Sequence, residues 1–302
     1  MPDVRVSDLI TLRSGMLSLS VAPARGGGIV SFDADDDPMF IGRPDDASPL
    51  GLACFPLLPF SNRIANGCFT AAGCTVALPR NHPRDPDHPH PLHGLAWQLP
   101  WTVVTATATS CHLKLDVAAG DWPWAWGGEQ WLTLDPHGLT HRIALTNCDP
   151  RPMPAGIGLH PWLPRNDRTR FRSLHRGEWQ TGATGLPLRL ETGPQPRDWW
   201  DGQPVASRLV DTVYTGRVGS MAVIWPDTGL MLGVTPSDTL AFTVVYVPPG
   251  KHHFCVEPVS HMTDAVNRHE AAAFTGLRWL PRGEALIGNV RYDVMAIPTD
   301  DR

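Results

Sequence analysis

Residues 129–147 read EQWLTLDPHGLTHRIALTN. Two runs that alternate apolar and polar residues flank Asp135-Pro136-His137-Gly138. Alternation with period two turns one face of a strand inward and the other outward. Asp, Pro and Gly supply the turn between them. The stretch predicts a β-hairpin, and its signature recurs along the chain. MLSLSV at 16–21, WTVVTATAT at 101–109, HLKLDV at 112–117, MAVIW at 221–225, MLGVT at 231–235 and AFTVVYV at 241–247 each read as a strand. Three glycines at 26–28 before IVSF fit a tight hairpin or bulge, and Asn66-Gly67 is a further hairpin signal. Residues 165–200 are rich in arginine and read as irregular. The one helical pattern is 263–274, TDAVNRHEAAAF, with Thr263 or Asp264 as its cap. Many short strands joined by turn residues predict an all-β fold, a large antiparallel β-sandwich with one or two short helices. No composition break divides the chain, so residues 1–302 are expected to form a single domain.

The bulk composition narrows the function classes. A net charge of −5 gives no basic footprint for nucleic acid. The acidic run DADDD at 33–37 reads as a solvated turn. The N-terminal stretch carries an acidic residue at once and lacks an apolar segment, so it does not read as a secretory signal. No apolar run approaches membrane-spanning length. Six cysteines lie scattered without a CxxC pair. They read as free thiols in a reducing cytoplasm, not as a zinc site or a disulfide frame. The expectation is a cytoplasmic monomer or homodimer with no metal, no nucleic-acid partner and no membrane contact.

The hairpin runs directly into PAGIGLHPWLP at 154–164. Gly156 and Gly158 allow close approach to the backbone, and Pro161 keeps His160 out of the helical region. This is a short strand carrying an imidazole that titrates near neutrality. On these residues alone a structural histidine at a strand end is the plainer reading. A second stretch, FCVEPVSHMTDAVN at 254–267, places Glu257 at the end of an apolar run. Glutamate is a rare choice there unless it is paired or working. Satisfaction by backbone donors or by Arg63 is the plainer alternative. Two more polar clusters stand out: SNRIANG at 61–67, after an apolar segment, with Asn62, Arg63 and Asn66, and HGLAW at 93–97, at the end of a polar loop, with His93 and Trp97. The tract NHPRDPDHPHPLH at 81–93 is rich in histidine, but no helix sets a ligand spacing, so a metal site is not expected there.

Taken in order, SNRIANG, HGLAW, EQWLTL, TNCDPRPMPAGIGLHPWL, VDTVY and PPGKHHFCVEPVSHMTDAVN resemble the aldose 1-epimerases, or galactose mutarotases, in their divergent bacterial branch. The resemblance spans nearly the whole chain. It implies the galactose mutarotase-like supersandwich and a monosaccharide substrate, with no cofactor. It further implies Glu257 as general base and His160 as general acid, the two flanking the anomeric centre. His93 matches the second histidine of the family, Arg63 its substrate-binding arginine, and Asp211 its hydroxyl-binding aspartate. Asn62 and Trp162 are added as substrate-binding candidates, with Trp162 and Trp97 able to stack on a sugar face or simply to pack in the core. Leu159 and Pro161-Trp162 around the histidine, and Glu257-Pro258, depart from galactose-preferring members and leave the sugar open.

Three alternatives remain. A hexose-6-phosphate 1-epimerase needs an arginine cluster for the phosphate, for which Arg80, Arg84, Arg165, Arg168 and Arg170 are candidates. A sugar-binding sandwich without catalysis is a second. A polysaccharide lyase or hydrolase is a third, but hydrolysis needs two working carboxylates.

Overall fold

The computed structural model describes residues 9–43, 48–71, 73–83 and 85–297. The first eight residues, which open the stretch read for a secretory signal, and Arg84 of the arginine set lie outside them.

The hairpin at the centre of the sequence forms as expected. Trp126–Asp135 and Gly138–Asn147 pair antiparallel from Trp126↔Asn147 down to Asp135↔Gly138, leaving Pro136 and His137 as the turn. It lies inside an eight-stranded antiparallel sheet. A second, eleven-stranded sheet holds the strands Leu17–Ala22, Gly28–Ala34, Cys54–Leu57, Gly158–Pro164, His253–Val259, Phe242–Tyr246 and Asp211–Thr215. The two sheets enclose one core. Leu19, Phe32, Leu159, Leu163, Phe254 and Val256 from the larger sheet join Leu113, Leu132, Ile143, Val290 and Tyr292 from the smaller. This is the β-sandwich that alternation predicts.

The opposite face of the larger sheet carries its own cluster, which includes Phe55, Trp162, Val213, Val244, Cys255 and Val259. Because successive side chains alternate in direction, the partition follows from sequence. In Gly158–Pro164, Leu159 and Leu163 face the sandwich core, while His160 and Trp162 face outward. In His253–Val259, Phe254 and Val256 face the core and Cys255 and Glu257 face outward. Five strands that are neighbours in the sheet thus send Phe55, His160, Glu257, Tyr246 and Asp211 to one side.

Three expectations need correction. The arginine-rich region is not irregular: it contains the strands Arg170–Arg172, His175–Thr181 and Pro187–Arg197. The last of these is the exposed edge of the larger sheet, so little apolar alternation marks it. The expected helix at 263–274 splits into a 3-10 turn at Ala265–Asn267 and one helical turn at Ala272–Thr275. Asp264 caps neither through its carboxylate, which instead accepts hydrogen bonds from the Ala65 amide and the Asn267 side chain. Asn66-Gly67 is not a hairpin tip; both residues adopt positive φ in a 3-10 turn that leads into the hairpin Cys68–Ala71/Cys74–Ala77.

Burial holds His93, His141 and His175 down to about 3 and His261 to about 4, with desolvation the largest cause in each. The unfolded chain protonates these groups near their ordinary value of 6.5. Between those limits the unfolded state binds more protons, so stability rises with pH and falls as pH drops below 6.5. Each such histidine contributes up to about 1.4 kcal/mol per pH unit in that window. Melting temperatures measured from pH 7.5 down to 4.5 are expected to fall steeply below 6.5; a flat profile would contradict buried neutral imidazoles.

Candidate active site

Glu257 and His160 are the centre of the outward face. The strand pairs Gly158↔Val259 and Trp162↔Cys255 bracket them, and the same register places His160 opposite Glu257. Pro161 and Pro258 lack N–H groups, so the ladder opens between those pairs. Glu257 Oε1 lies 3.3 Å from His160 Nε2. The side chains are only 6% and 3% exposed, for His160 and Glu257 respectively. Among the described residues, His160 Nδ1 and Glu257 Oε2 have no hydrogen-bond partner. Glu257 is therefore not the satisfied carboxylate of the plainer alternative. In this form the two groups stand side by side rather than apart, both at the floor of one cavity.

Burial acts on the two groups in opposite directions. It lifts the Glu257 carboxyl well above the usual carboxylate range, helped by the nearby charge of Asp211 and opposed by Arg63. It pushes His160 well below the usual imidazole range, helped by His93 and Arg43. Both effects disfavour charge.

The cavity measures about 190 Å³ and is lined by Arg43, Phe55, Asn62, Arg63, His82, His93, His160, Trp162, Asp211, Tyr246 and Glu257, with Leu50 and Leu92. All seven residues singled out from sequence meet here. Arg63 Nη2 donates to Asp211 Oδ2 at 2.9 Å across 148 positions of chain, and its Nη1 donates to Asn62 Oδ1 at 3.0 Å. The Asn62 amide donates to His93 Nδ1 at 3.1 Å. That bond leaves His93 Nε2 to carry the proton in the neutral ring. His93 meets His160 edge-on with centroids 5.0 Å apart, and Phe55 stacks on His160 at 4.4 Å. Trp162 lines the cavity, but its indole N–H donates to the Leu50 carbonyl and the Arg43 guanidinium lies 4.4 Å over its ring. Trp97 takes the packing role: it is buried against Phe55 and does not line the cavity.

Three loops are locked together to build this wall. The amides of His93 and Leu95 donate to the Asn62 and Leu58 carbonyls. The Ser61 amide donates to His261 Nε2, and the Asp264 amide to the Arg63 carbonyl. A Cβ at Gly156 would sit 2.0 Å from the His261 ring, so the close approach there is made by the protein's own chain.

Arg43, Phe55 and Tyr246 were not found from sequence. Phe55 and Tyr246 sit in apolar runs where a core role reads equally well; only the register reveals their face. Arg43 follows no motif and arrives by tertiary contact. The histidine-rich tract supplies His82 to the cavity, but the Nδ1 atoms of His82, His88 and His90 each already bond to backbone. Beyond the Arg63–Asp211 wall lies a larger polar cleft of about 450 Å³. Its Glu178 is bonded to Arg208, and it contains no acid–base pair like the one described.

The aldose 1-epimerase family model matches residues 8–292. The chain belongs to the aldose 1-epimerase family. Among curated proteins it is 29% identical over 279 residues to the uncharacterised Escherichia coli K12 protein YphB, covering 89% of this chain and 93% of that one. A crystal structure of a putative aldose 1-epimerase from E. coli K12 superposes with a TM-score of 0.85 at 26% identity, covering 96% of this chain and 99% of that one. A galactose mutarotase-like protein from Clostridium acetobutylicum superposes with a TM-score of 0.84 at 16% identity, covering 95% of each chain, and at that identity supports the fold alone. No helix among the described residues is long and apolar enough to cross a membrane.

Gly94 stands at the joint between two of the locked loops. Its φ is +68°, and a Cβ there would lie 2.0 Å from the Leu58 carbonyl oxygen. Gly94→Ala is expected to lose more than about 2 kcal/mol of stability by chemical denaturation. A wild-type denaturation midpoint in this variant would show that the joint is not strained.

Proposed function

We propose that this protein is an aldose 1-epimerase acting on a free, uncharged aldose. The observation that carries the reading is the buried pair at 3.3 Å, His160 and Glu257, open to a cavity of monosaccharide scale. Mutarotation needs a proton taken from the anomeric hydroxyl and a proton given to the ring oxygen. Both oxygens are bonded to C1, so the groups that serve them must stand close together.

The pair needs one proton in total. Glu257 as carboxylate takes the O1 proton while imidazolium His160 protonates the ring oxygen. The O1 electron pair forms the aldehyde carbonyl as the C1–O5 bond breaks onto O5. The pair then holds its proton on Glu257, with His160 neutral, the arrangement that burial favours in the free protein. Rotation about C1–C2 presents the other carbonyl face. Closure returns the O5 proton to His160 and the Glu257 proton to O1. The pair ends as it began, and the anomer is inverted.

The other residues fit a binding role. Asp211 accepts and Arg63 donates to sugar hydroxyls, each held in place by the other. His93 Nε2 offers a donor, oriented by the Asn62 amide. Of the arginines named for the phosphate alternative, the four described ones are engaged elsewhere: Arg165 on the Pro248 and Lys251 carbonyls, Arg168 on Asp227, Arg170 on the Gly202 carbonyl, while exposed Arg80 lies near Asp87. None of these four lines the cavity. The non-catalytic alternative leaves a desolvated acid and base facing each other, with His160 Nδ1 and Glu257 Oε2 unbonded among the described residues, a costly arrangement unless they react.

NMR or polarimetry of freshly dissolved α-aldoses is expected to show anomer exchange well above the buffer rate for at least one sugar; none with any free aldose would refute the reading. Glu257→Gln and His160→Asn are each expected to lower kcat by roughly two to four orders of magnitude. Arg63→Lys, which breaks the planar fork, is expected to raise KM more than it lowers kcat. The kcat/KM profile is expected to be bell-shaped. Its acid limb lies below 6.5, where a second proton enters the pair, and its basic limb well above 4.5, where the last one leaves. A monotonic profile would exclude the one-proton pair.

A further inference from the structure

Cys255 lies beside the acid–base pair on the same sheet face, and nothing in the reaction uses it. It is wholly buried, two residues before Glu257 on the same strand face, and pairs across the ladder with Trp162 and Tyr246. The ligand atoms of His160, Cys255 and Glu257 all lie within 4.8 Å of one another. Among the described residues this is the one such grouping of histidine, cysteine and acidic side chains.

We propose that His160, Cys255 and Glu257 form a binding site for a thiophilic divalent cation, zinc in the first instance, and that occupation switches the active site off. Ligands held about 2.0 to 2.3 Å from a tetrahedral zinc stand roughly 3.3 to 3.8 Å apart. His160 Nε2 and Glu257 Oε1 already have that spacing, at 3.3 Å. The sulfur needs only a shift on the order of 1 Å to complete the triangle. Glu257 Oε2, buried and without a partner among the described residues, is a further oxygen available to the ion. One imidazole, one thiolate and one carboxylate suit zinc or cadmium and not magnesium or calcium, which require oxygen ligands. Three protein ligands leave a fourth position open toward the cavity that His160 and Glu257 line. The ion enters by that route and binds as the Cys255 thiol proton leaves to solvent.

Inhibition follows from the ligand set. Coordination takes the His160 Nε2 lone pair and the Glu257 carboxylate, the two groups that move protons. The histidine-rich loop at 81–93 is not the source of this effect, because its side chains form no ligand cluster among the described residues.

Metal binding stands independently of the mutarotase reading, whereas the inhibition rests on it, and the experiment separates the two. Cobalt(II) is titrated into the full-length protein while the near-ultraviolet thiolate-to-cobalt charge-transfer band is followed. Three exposed cysteines, Cys68, Cys74 and Cys148, offer other thiols, so the diagnostic is a band lost in Cys255→Ala. Zinc chloride is then added to the mutarotation assay, with magnesium chloride as control. The expected result is inhibition by zinc but not magnesium, reversed by a chelator. Cys255→Ala is expected to keep its mutarotation and to need at least about tenfold more zinc, equivalent to ~1.4 kcal/mol. Cys255→Val serves if the alanine variant fails to fold. Equal zinc sensitivity in a folded Cys255 variant, or a cobalt band indifferent to Cys255, overturns the proposal. A Cys255-dependent band in a protein that mutarotates no aldose keeps the metal site and removes the mutarotase reading instead.

Discussion

Desolvation of one acid and one base on the same sheet face is the constraint on which the rest of the structure depends. Each of Glu257 and His160 would be more comfortable in water, and neither is repaid by a bond from the protein to its outer atom. Their burial is imposed by the strands that carry them. Leu159 and Leu163 on one strand and Phe254 and Val256 on the other are anchored in the sandwich core. The pleat then has no choice but to turn His160 and Glu257 outward, and the register sets them face to face. The hydrophobic core thus holds the polar pair in place, and the pair's altered basicity is a consequence of that anchoring.

The second requirement is a rigid wall around the pair. Loops supply it, and loops are ordinarily the mobile part of a sandwich. Here they are tied by backbone bonds that run between distant segments: Asn62 with His93, Ser61 with His261, Arg63 with Asp264. The bond to Asn62 dictates the tautomer of His93, while Asn62 Oδ1 and Asp211 set the direction of the Arg63 fork. Fixed donors and acceptors cost little reorganisation when a hydroxylated ligand arrives. His261 and Gly156 make no contact with the cavity, yet their fit against one another keeps the arginine loop where it is.

Much of this was legible in the chain because it is local. Period-two alternation marks a strand whatever its partner, and the Asp135–Gly138 turn selects a hairpin by its own dihedral preferences. The motifs carrying Asn62, Arg63, His160 and Glu257 were legible as polar residues following or breaking apolar runs, His93 as the end of a polar loop, and the family resemblance joined them and added Asp211. What stayed hidden is non-local. Phe55 and Tyr246 look like core residues until the register shows which face they occupy. Arg43 gives no signal, because a single arginine in a loop has no periodicity. The edge strands between Arg170 and Arg197 escaped notice because exposure removes the selection for alternating residues. The helix at 263–274 broke in two because Asp264 and Asn267 serve the neighbouring loop and not a helix end.

The sequence by itself determined the all-β class, the alternation along its strands and the residue types able to move protons. These depend on side-chain chemistry and on the two-residue repeat of an extended backbone, both written into neighbouring positions. Only the tertiary structure decided that residues 97 positions apart stand 3.3 Å from each other, that Asp211 holds Arg63, and that Cys255 stands within reach of the pair. Strand order and register across a sheet are set by the packing of the whole core, and no local pattern encodes them.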